Sequence, residues 1–219
     1  MSDTFDFRKE YRDLYLPPKK PVVIDVPEIT CIAVNGTGDP NTCAAYKNAM
    51  EVLYGLSYSI KMSKMSGTQP AGYFDYVVPP LEGFWMLGAR GFDYDGLRII
   101  DKNKFVWTSF IRQPEFVTQE VFERAKEALL KKKSGVDLSS TALVTFAEGL
   151  CVQIMHTGTY DSEADDIRRM HSFAEENGYA PDFTNGRRHH EIYLGDPRKT
   201  APEKLRTVIR HPVKKTAAV

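Results

Sequence analysis

The sequence is short of cysteine, of long apolar runs and of net charge. Its three cysteines, Cys31, Cys43 and Cys151, are an odd number at wide spacing. That pattern makes no disulfide framework, and without a CxxC pair it makes no zinc motif, so they read as small buried thiols. No stretch approaches the ~18–20 apolar residues needed to cross a bilayer. The opening MSDTFDFRKEY has neither the basic start nor the apolar middle of a signal peptide, so a cytoplasmic protein with no membrane partner is expected. Lys+Arg and Asp+Glu both number 29. A neutral chain has no global field to gather a polyanion, so direct nucleic-acid binding is not expected. Strong motifs are missing too. There is no GxxxxGK[ST], HExxH or GxSxG, and Gly36-Thr37-Gly38 fails the dinucleotide fingerprint because Asn41 stands at the third glycine position. No organic cofactor is called for.

The elements that are present alternate. Residues 1–25 read as an arm whose Pro17, Pro18 and Pro21 forbid a long helix, leaving no room for the two helices of a DNA-binding helix-turn-helix. A strand is expected at 28–35, then a helix capped by Asn41 or Thr42 and running to Lys61, on the stripe Ala45, Ala49, Val52, Leu53, Leu56 and Ile60. Strands follow at 72–78 and 104–112, separated by an irregular, glycine-rich, aromatic insertion over 81–103 (Phe84, Trp85, Phe92, Tyr94). The second half starts with a helix at 118–133 capped by Thr118. A hairpin of strands 141–147 and 150–156, turned at Glu148-Gly149, comes next. A helix from Ser162 to about Asn177 is closed by Gly178, and strands 187–195 and 204–210 finish the fold.

The two halves therefore repeat a β-α-β-β unit. Gly38 precedes its cap candidate Thr42, and Gly158 precedes Ser162, by the same four residues. The expected fold is α+β: one domain over 26–213 made of two lobes (about 26–115 and 116–213) about a pseudo-twofold axis, with a tail at 214–219. A ligand groove is expected at the junction of the lobes.

The most informative segment is His189-His190-Glu191-Ile192-Tyr193-Leu194. Strand alternation puts His189, Glu191 and Tyr193 on one face and His190, Ile192 and Leu194 on the other. If Ile192 and Leu194 pack under the helices, Glu191 and Tyr193 line the groove. A carboxylate among aromatic rings can attract a flat cation, each ring adding roughly 0.5–2 kcal/mol. It can also serve as a general base on water. A phenol about 7 Å along the strand can meet an oxygen that gains negative charge. Trp85, beside Phe84 and Gly83, is a candidate pocket wall or a plug over the core. Trp107 shares one face of its strand with Phe105 and Ser109, and Tyr73 or Tyr76 is expected to face the groove. A metal is not expected, since only His189 and Glu191 converge and two ligands do not make a site. His171 reads as a hydrogen-bonded core residue.

The opening RKEYRDLYLPPKKPVVIDVPEITCIAVNGTGDPN and the close GRRHHEIYLGDPRKTAPEKLRTVIRHPV resemble the GyrI-like small-molecule-binding proteins, in their stand-alone branch. The resemblance implies tandem β-α-β-β units of the SHS2 type with a central groove. It also implies a hydrophobic aromatic ligand, cationic in the drug-binding members, held around a glutamate that matches Glu191. One branch is similar to cyclopropanoid cyclopropyl hydrolases, which open the strained ring of DNA-alkylating natural products of the yatakemycin and CC-1065 type. It would make Glu191 the base and Tyr193 the phenol, with Trp85, Trp107, Phe84, Tyr73 and His189 as the binding shell and no cofactor. The alternative is a non-catalytic protein that sequesters or senses such compounds. A third possibility, inhibition of a protein partner, finds no support in the residues.

Overall fold

The computed structural model describes residues 4–87, 92–93, 98–99 and 101–216. Two four-residue helical turns, α1 (Phe7–Glu10) and α2 (Arg12–Tyr15), open the chain. They bury Phe7, Leu14 and Tyr15 in the main core, so this segment acts as a plug. Strand β1 (Val22–Thr37) is followed by α3 (Ala44–Lys61), whose cap is Cys43: its Sγ accepts from the Tyr46 N–H at 3.4 Å. Strand β2 (Leu81–Leu87), the two-residue pair β3 (Phe92–Asp93) and β4 (Arg98–Ile99), and strand β5 (Phe105–Arg112) complete the first half. Helix α4 (Gln119–Lys132), capped by Thr118, leads to β6 (Thr141–Thr157). Helix α5 (Ala164–Glu176) follows, then β7 (Tyr179–Pro181), β8 (His189–Tyr193) and β9 (Arg206–Lys215).

Among the described residues all strand pairs are antiparallel, and six strands close on themselves in the order β6-β1-β5-β2-β8-β9, with β9 returning to β6. The result is an α+β protein with a barrel-like sheet. Closure removes exposed edges, the usual route by which long strands aggregate. Helices α3 and α4 cover one part of the outer face, with Val52, Leu53, Leu56 and Leu129 against Ile32, Val34 and Ile111. Helix α5 covers the other part through Met170 and Ala174 against Val152, Ile154 and Ile209.

Several elements differ from the sequence-based expectation. Residues 72–78 form no strand: one bridge pairs Tyr76 with Phe5, and their rings pack on Phe5, Phe7 and Phe116. The strand of that half is β2, inside the stretch expected to be irregular. The side chains of Phe92 and Tyr94 in that stretch lie outside the described residues. The expected hairpin at 141–156 is one 17-residue strand. Gly149 does adopt a left-handed φ of 65°, but it kinks the strand rather than reversing it. Phe146 and Glu148 before it, and Cys151 and Gln153 after it, all meet the barrel interior, so the alternation slips by one residue at the kink.

The interior is polar where β8, β9 and β6 meet. His190 is fully buried, with Nδ1 at 2.8 Å from Glu148 and Nε2 at 3.1 Å from Glu82. Arg210 donates to Glu148 at 3.3 Å, to Gln153 at 3.0 Å and to the Leu14 carbonyl at 2.8 Å. Burial alone would raise the Glu148 pKa, but His190 and Arg210 together outweigh it and pull the carboxyl down to about 2. Burial would also lower His190, yet Glu148 and Glu82 hold it above its ordinary value. Each buried charge is thus matched by opposite charge, the condition under which such groups persist in a core.

Candidate functional site

The register of β2 on β8 sets Trp85 opposite His189, Gly83 opposite Glu191 and Leu81 opposite Tyr193. The register of β2 on β5 adds Trp107 and Ser109 to the same face. This face carries the helices. The expectation that Ile192 and Leu194 would lie beneath them is therefore corrected. Ile192 and His190 turn into the barrel, and Glu191 looks out between α3 and α5. The site therefore lies beneath the helical layer rather than on the bare side of a sheet, and Glu191 lines neither described cavity.

Gly83 keeps the floor low. A Cβ there would stand 2.8 Å from Trp85 Nε1 and 3.5 Å from the Tyr193 hydroxyl. Trp85 Nε1–H donates to that hydroxyl at 2.8 Å, and the phenol in turn hydrogen-bonds to Glu191. Burial and then the Glu191 charge push the Tyr193 pKa well above 10, so it serves as a donor and not as a base. Tyr46 of α3 stands between the tryptophans, its ring 5.9 Å from Trp85 and 5.0 Å from Trp107. Tyr160 meets Tyr193 edge-on at 5.5 Å, and burial with the nearby Glu191 charge pushes it up to about 12. The site thus has aromatic walls from four elements and a carboxylate between them.

Glu191 is only 13% exposed at its side chain. Its Oε1 lies 2.9 Å from His189 Nε2. The other imidazole nitrogen is 2.6 Å from His211 Nε2, and His211 Nδ1 is 2.8 Å from His171 Nε2 on α5. Three imidazoles are therefore hydrogen-bonded in series from Glu191 to α5. Burial, then His189 and His171, pushes His211 well below its ordinary value and keeps it neutral. A second acid, not foreseen from the sequence, completes the cluster. Glu163, the residue before α5, is 6% exposed, and its Oε2 lies 3.9 Å from His189 Nε2. Its Oε1 is buried with no hydrogen-bond partner among the described residues. Burial, followed by Glu191, Asp166 and Asp161, raises its pKa well above the ordinary carboxylate value.

The expected site residues divide accordingly. Glu191, Tyr193, His189 and Trp85 come together. Trp107 supports them through Tyr46. Phe84 lies on the opposite side of β2, packed on Phe110, Phe146 and His190, because it is one residue out of step with Trp85. Tyr73 belongs to the cluster around Phe116 and Tyr76, and its hydroxyl donates to the Lys61 carbonyl at 2.6 Å. A cavity of about 270 Å³ also opens near Phe84, Glu148, Cys151 and Arg187, at the barrel side of the sheet; Glu191 does not line it.

A carboxylate ringed by the aromatic side chains of Trp85, Tyr46, Tyr160 and Tyr193 suits a small-molecule-binding protein. The comparisons with known proteins agree. The GyrI-like small molecule binding domain matches residues 111–214. A hydrolase from Listeria innocua is 46% identical, over 96% of this chain and all of its own, with a TM-score of 0.87. An uncharacterized conserved protein from the same organism is 48% identical over the same shares, with a TM-score of 0.89. The EcmrR C-terminal domain is 14% identical, over 90% of this chain and 98% of its own, and at a TM-score of 0.50 shares the fold alone. The comparison with curated proteins gives no match. This chain belongs to the GyrI-like small-molecule-binding family. Among the described residues no helix is long and apolar enough to cross a membrane.

Proposed function

We propose that the protein binds flat, hydrophobic or cationic small molecules between Trp85, Tyr46, Tyr160 and Tyr193, and hydrolyses the activated cyclopropane of DNA-alkylating natural products. The observation that carries the reading is Glu191, held by His189 at 2.9 Å and flanked on its own strand by the proton-bearing Tyr193. A spiro-cyclopropane joined to a dienone is already electrophilic. Water attacks a ring carbon and passes its proton to Glu191 as the new C–O bond forms. The ring C–C bond breaks, its electron pair moves into the dienone, and the carbonyl oxygen becomes a phenolate. Tyr193 donates a hydrogen bond to that oxygen, and the proton gathered by Glu191 neutralises it, so the balance is addition of one water. A partly desolvated carboxylate is suited to this role, and the hydrolase description of the Listeria relative supports the reaction class.

The fold is read as two copies of one unit. The order β1-α3-β2-β5 recurs as β6-α5-β8-β9, and like strands pair, β1 with β6 and β2 with β8. This supports a single domain over 26–213, with lobes 26–115 and 116–213 meeting at the groove.

The test is incubation with a cyclopropane of the CC-1065 type and detection of the water adduct by mass spectrometry. Glu191→Gln is expected to lower turnover by ~10²–10⁴-fold, the usual share of a general base. Unchanged turnover refutes the role of Glu191. Saturable binding with the compound recovered intact makes the protein a sequestering or sensing one instead.

A further inference from the structure

We infer that Glu163, His189 and Glu191 form a binding site for a divalent transition-metal ion, with Zn²⁺ the best match to the donor set. Their ligand atoms lie within 4.8 Å of one another. They come from two places that the fold brings together, the residue before α5 and the first half of β8. Two carboxylates and one imidazole are the number and kind of protein ligands that hold a three-point zinc site with one position open.

Four features separate this cluster from a chance gathering of acids. First, Glu163 is buried and one of its oxygens has no partner. An unpaired carboxylate oxygen in a core is costly, and a cation or a proton must answer it. Second, the geometry is close to closure. Ligand bonds of about 2.1 Å in a tetrahedron place ligand atoms about 3.4 Å apart. The two distances from His189 Nε2, 2.9 Å to Glu191 and 3.9 Å to Glu163, straddle that value, and side-chain rotation closes the rest. Third, the imidazole is oriented from behind. Metal-binding histidines commonly engage a partner through their second nitrogen. His189 does so with His211 at 2.6 Å, and His211 is fixed in turn by His171 at 2.8 Å. Fourth, Asp161 and Asp166 add negative potential at the same helix end.

The inference shares side chains with the proposed hydrolysis but does not rest on it. The two uses of Glu191 compete. An ion bound to its oxygens occupies the lone pairs that would take a proton from water, so Zn²⁺ should inhibit turnover while leaving the fold intact.

The experiment is calorimetric titration of Zn²⁺ into chelator-stripped protein without any organic ligand. It is paired with Co²⁺ substitution, read as visible d–d absorption, and with thermal melts. The wild type is expected to bind one equivalent, to show the intense absorption of a four- or five-coordinate Co²⁺ centre, and to melt higher with Zn²⁺. Glu163→Gln should weaken binding by at least tenfold and abolish the melting shift. His211→Gln, which touches no ion, should weaken it by ~10–100-fold through the orientation of His189. If Glu163→Gln does not fold, Glu163→Asp, which retains the charge but shortens the reach, replaces it with the same expectation. Absence of one-equivalent binding overturns the site and leaves a proton as the partner of Glu163. Binding unchanged in a folded Glu163 variant overturns it too. Hydrolysis measured with EDTA present reports on the proposed function independently, so the two readings fail separately.

Discussion

Gly36→Ala tests whether the aromatic wall is braced from beneath. Gly36 lies on β1 directly opposite Trp107 on β5. A Cβ at position 36 would stand 2.2, 2.3 and 2.8 Å from three atoms of the indole's six-membered ring. Carbon atoms in contact sit at about 3.5–4.0 Å, so the ring must move by more than about 1 Å. It has little room. Trp107 is 1% exposed and Tyr46 packs edge-on against it at 5.0 Å. Nor can β1 retreat, because it is hydrogen-bonded on both sides, to β5 and β6. Overpacking of this kind costs ~1–3 kcal/mol. In a chain of this length that lowers the melting midpoint by roughly 2–4 °C per kcal/mol. Urea denaturation followed by circular dichroism measures the cost. The cause is isolated by a second variant, since Trp107→Phe removes the clashing atoms. The double variant should be at least ~1 kcal/mol more stable than the sum of the two single effects requires. Additivity within ~0.5 kcal/mol, or a Gly36→Ala protein as stable as wild type, refutes the packing argument and with it the link from β1 through Trp107 and Tyr46 to the groove.

Two further outcomes follow from the same geometry. Gly83→Ala places a methyl 2.8 Å from Trp85 Nε1, breaking its bond to Tyr193 and raising the groove floor opposite Glu191. Ligand binding, read by tryptophan fluorescence, should weaken at least tenfold while stability falls by no more than ~2 kcal/mol; unaltered affinity refutes the placement of the floor. The buried charges predict a bell-shaped stability profile. Glu148 is depressed from 4.5 to about 2, so its contribution is present above pH 4.5 and is lost as pH falls toward 2. His190 is raised above 6.5, so its contribution is present below 6.5 and is lost as pH rises through the raised value. Denaturant midpoints should peak between 4.5 and 6.5, and Glu148→Gln should flatten both flanks; a wild-type profile without a maximum there refutes the pairing.

How far the sequence disclosed this molecule depends on where the controlling contacts lie. Local signals were readable: Thr118 caps α4, Gly178 ends the region of α5 with a φ of 77°, and the apolar stripe of α3 is buried from Ala49 to Ile60, though Ala45 is exposed. Alternation along β8 separated His189, Glu191 and Tyr193 from His190 and Ile192 correctly. What failed was the sense of that separation, because nothing in five residues says which face a distant helix will cover. Strand β2 was hidden by Gly83, whose lack of a side chain reads as irregularity until Glu191 is seen across from it. Glu148-Gly149 has the composition of a turn, yet β1 runs along both sides of it and holds it in one strand. Glu163 was the largest omission. It precedes His189 by 26 residues, and only the docking of α5 beside β8 makes them neighbours. The available signal was a carboxylate at the start of a helix, beside Asp161, Asp165 and Asp166.

The two faces of β8 make stability and function parts of one register. His190 and Ile192 anchor the strand in the barrel, one by charge pairing with Glu148 and Glu82, the other by burial. His189, Glu191 and Tyr193 are presented on the opposite face as a consequence. A slip of one residue would turn His190 out of the barrel and Glu191 into it, adding a third carboxylate beside Glu148 and Glu82 with Arg210 left to face them. The interior network therefore does more than fill the barrel. Apolar packing could satisfy the volume, since replacing a buried ion pair by hydrocarbon is often neutral or stabilising. It could not select this register so sharply, because an apolar strand tolerates sliding, whereas an imidazole with a carboxylate at each nitrogen does not. The position of the groove carboxylate is fixed from behind, through the strand that carries it.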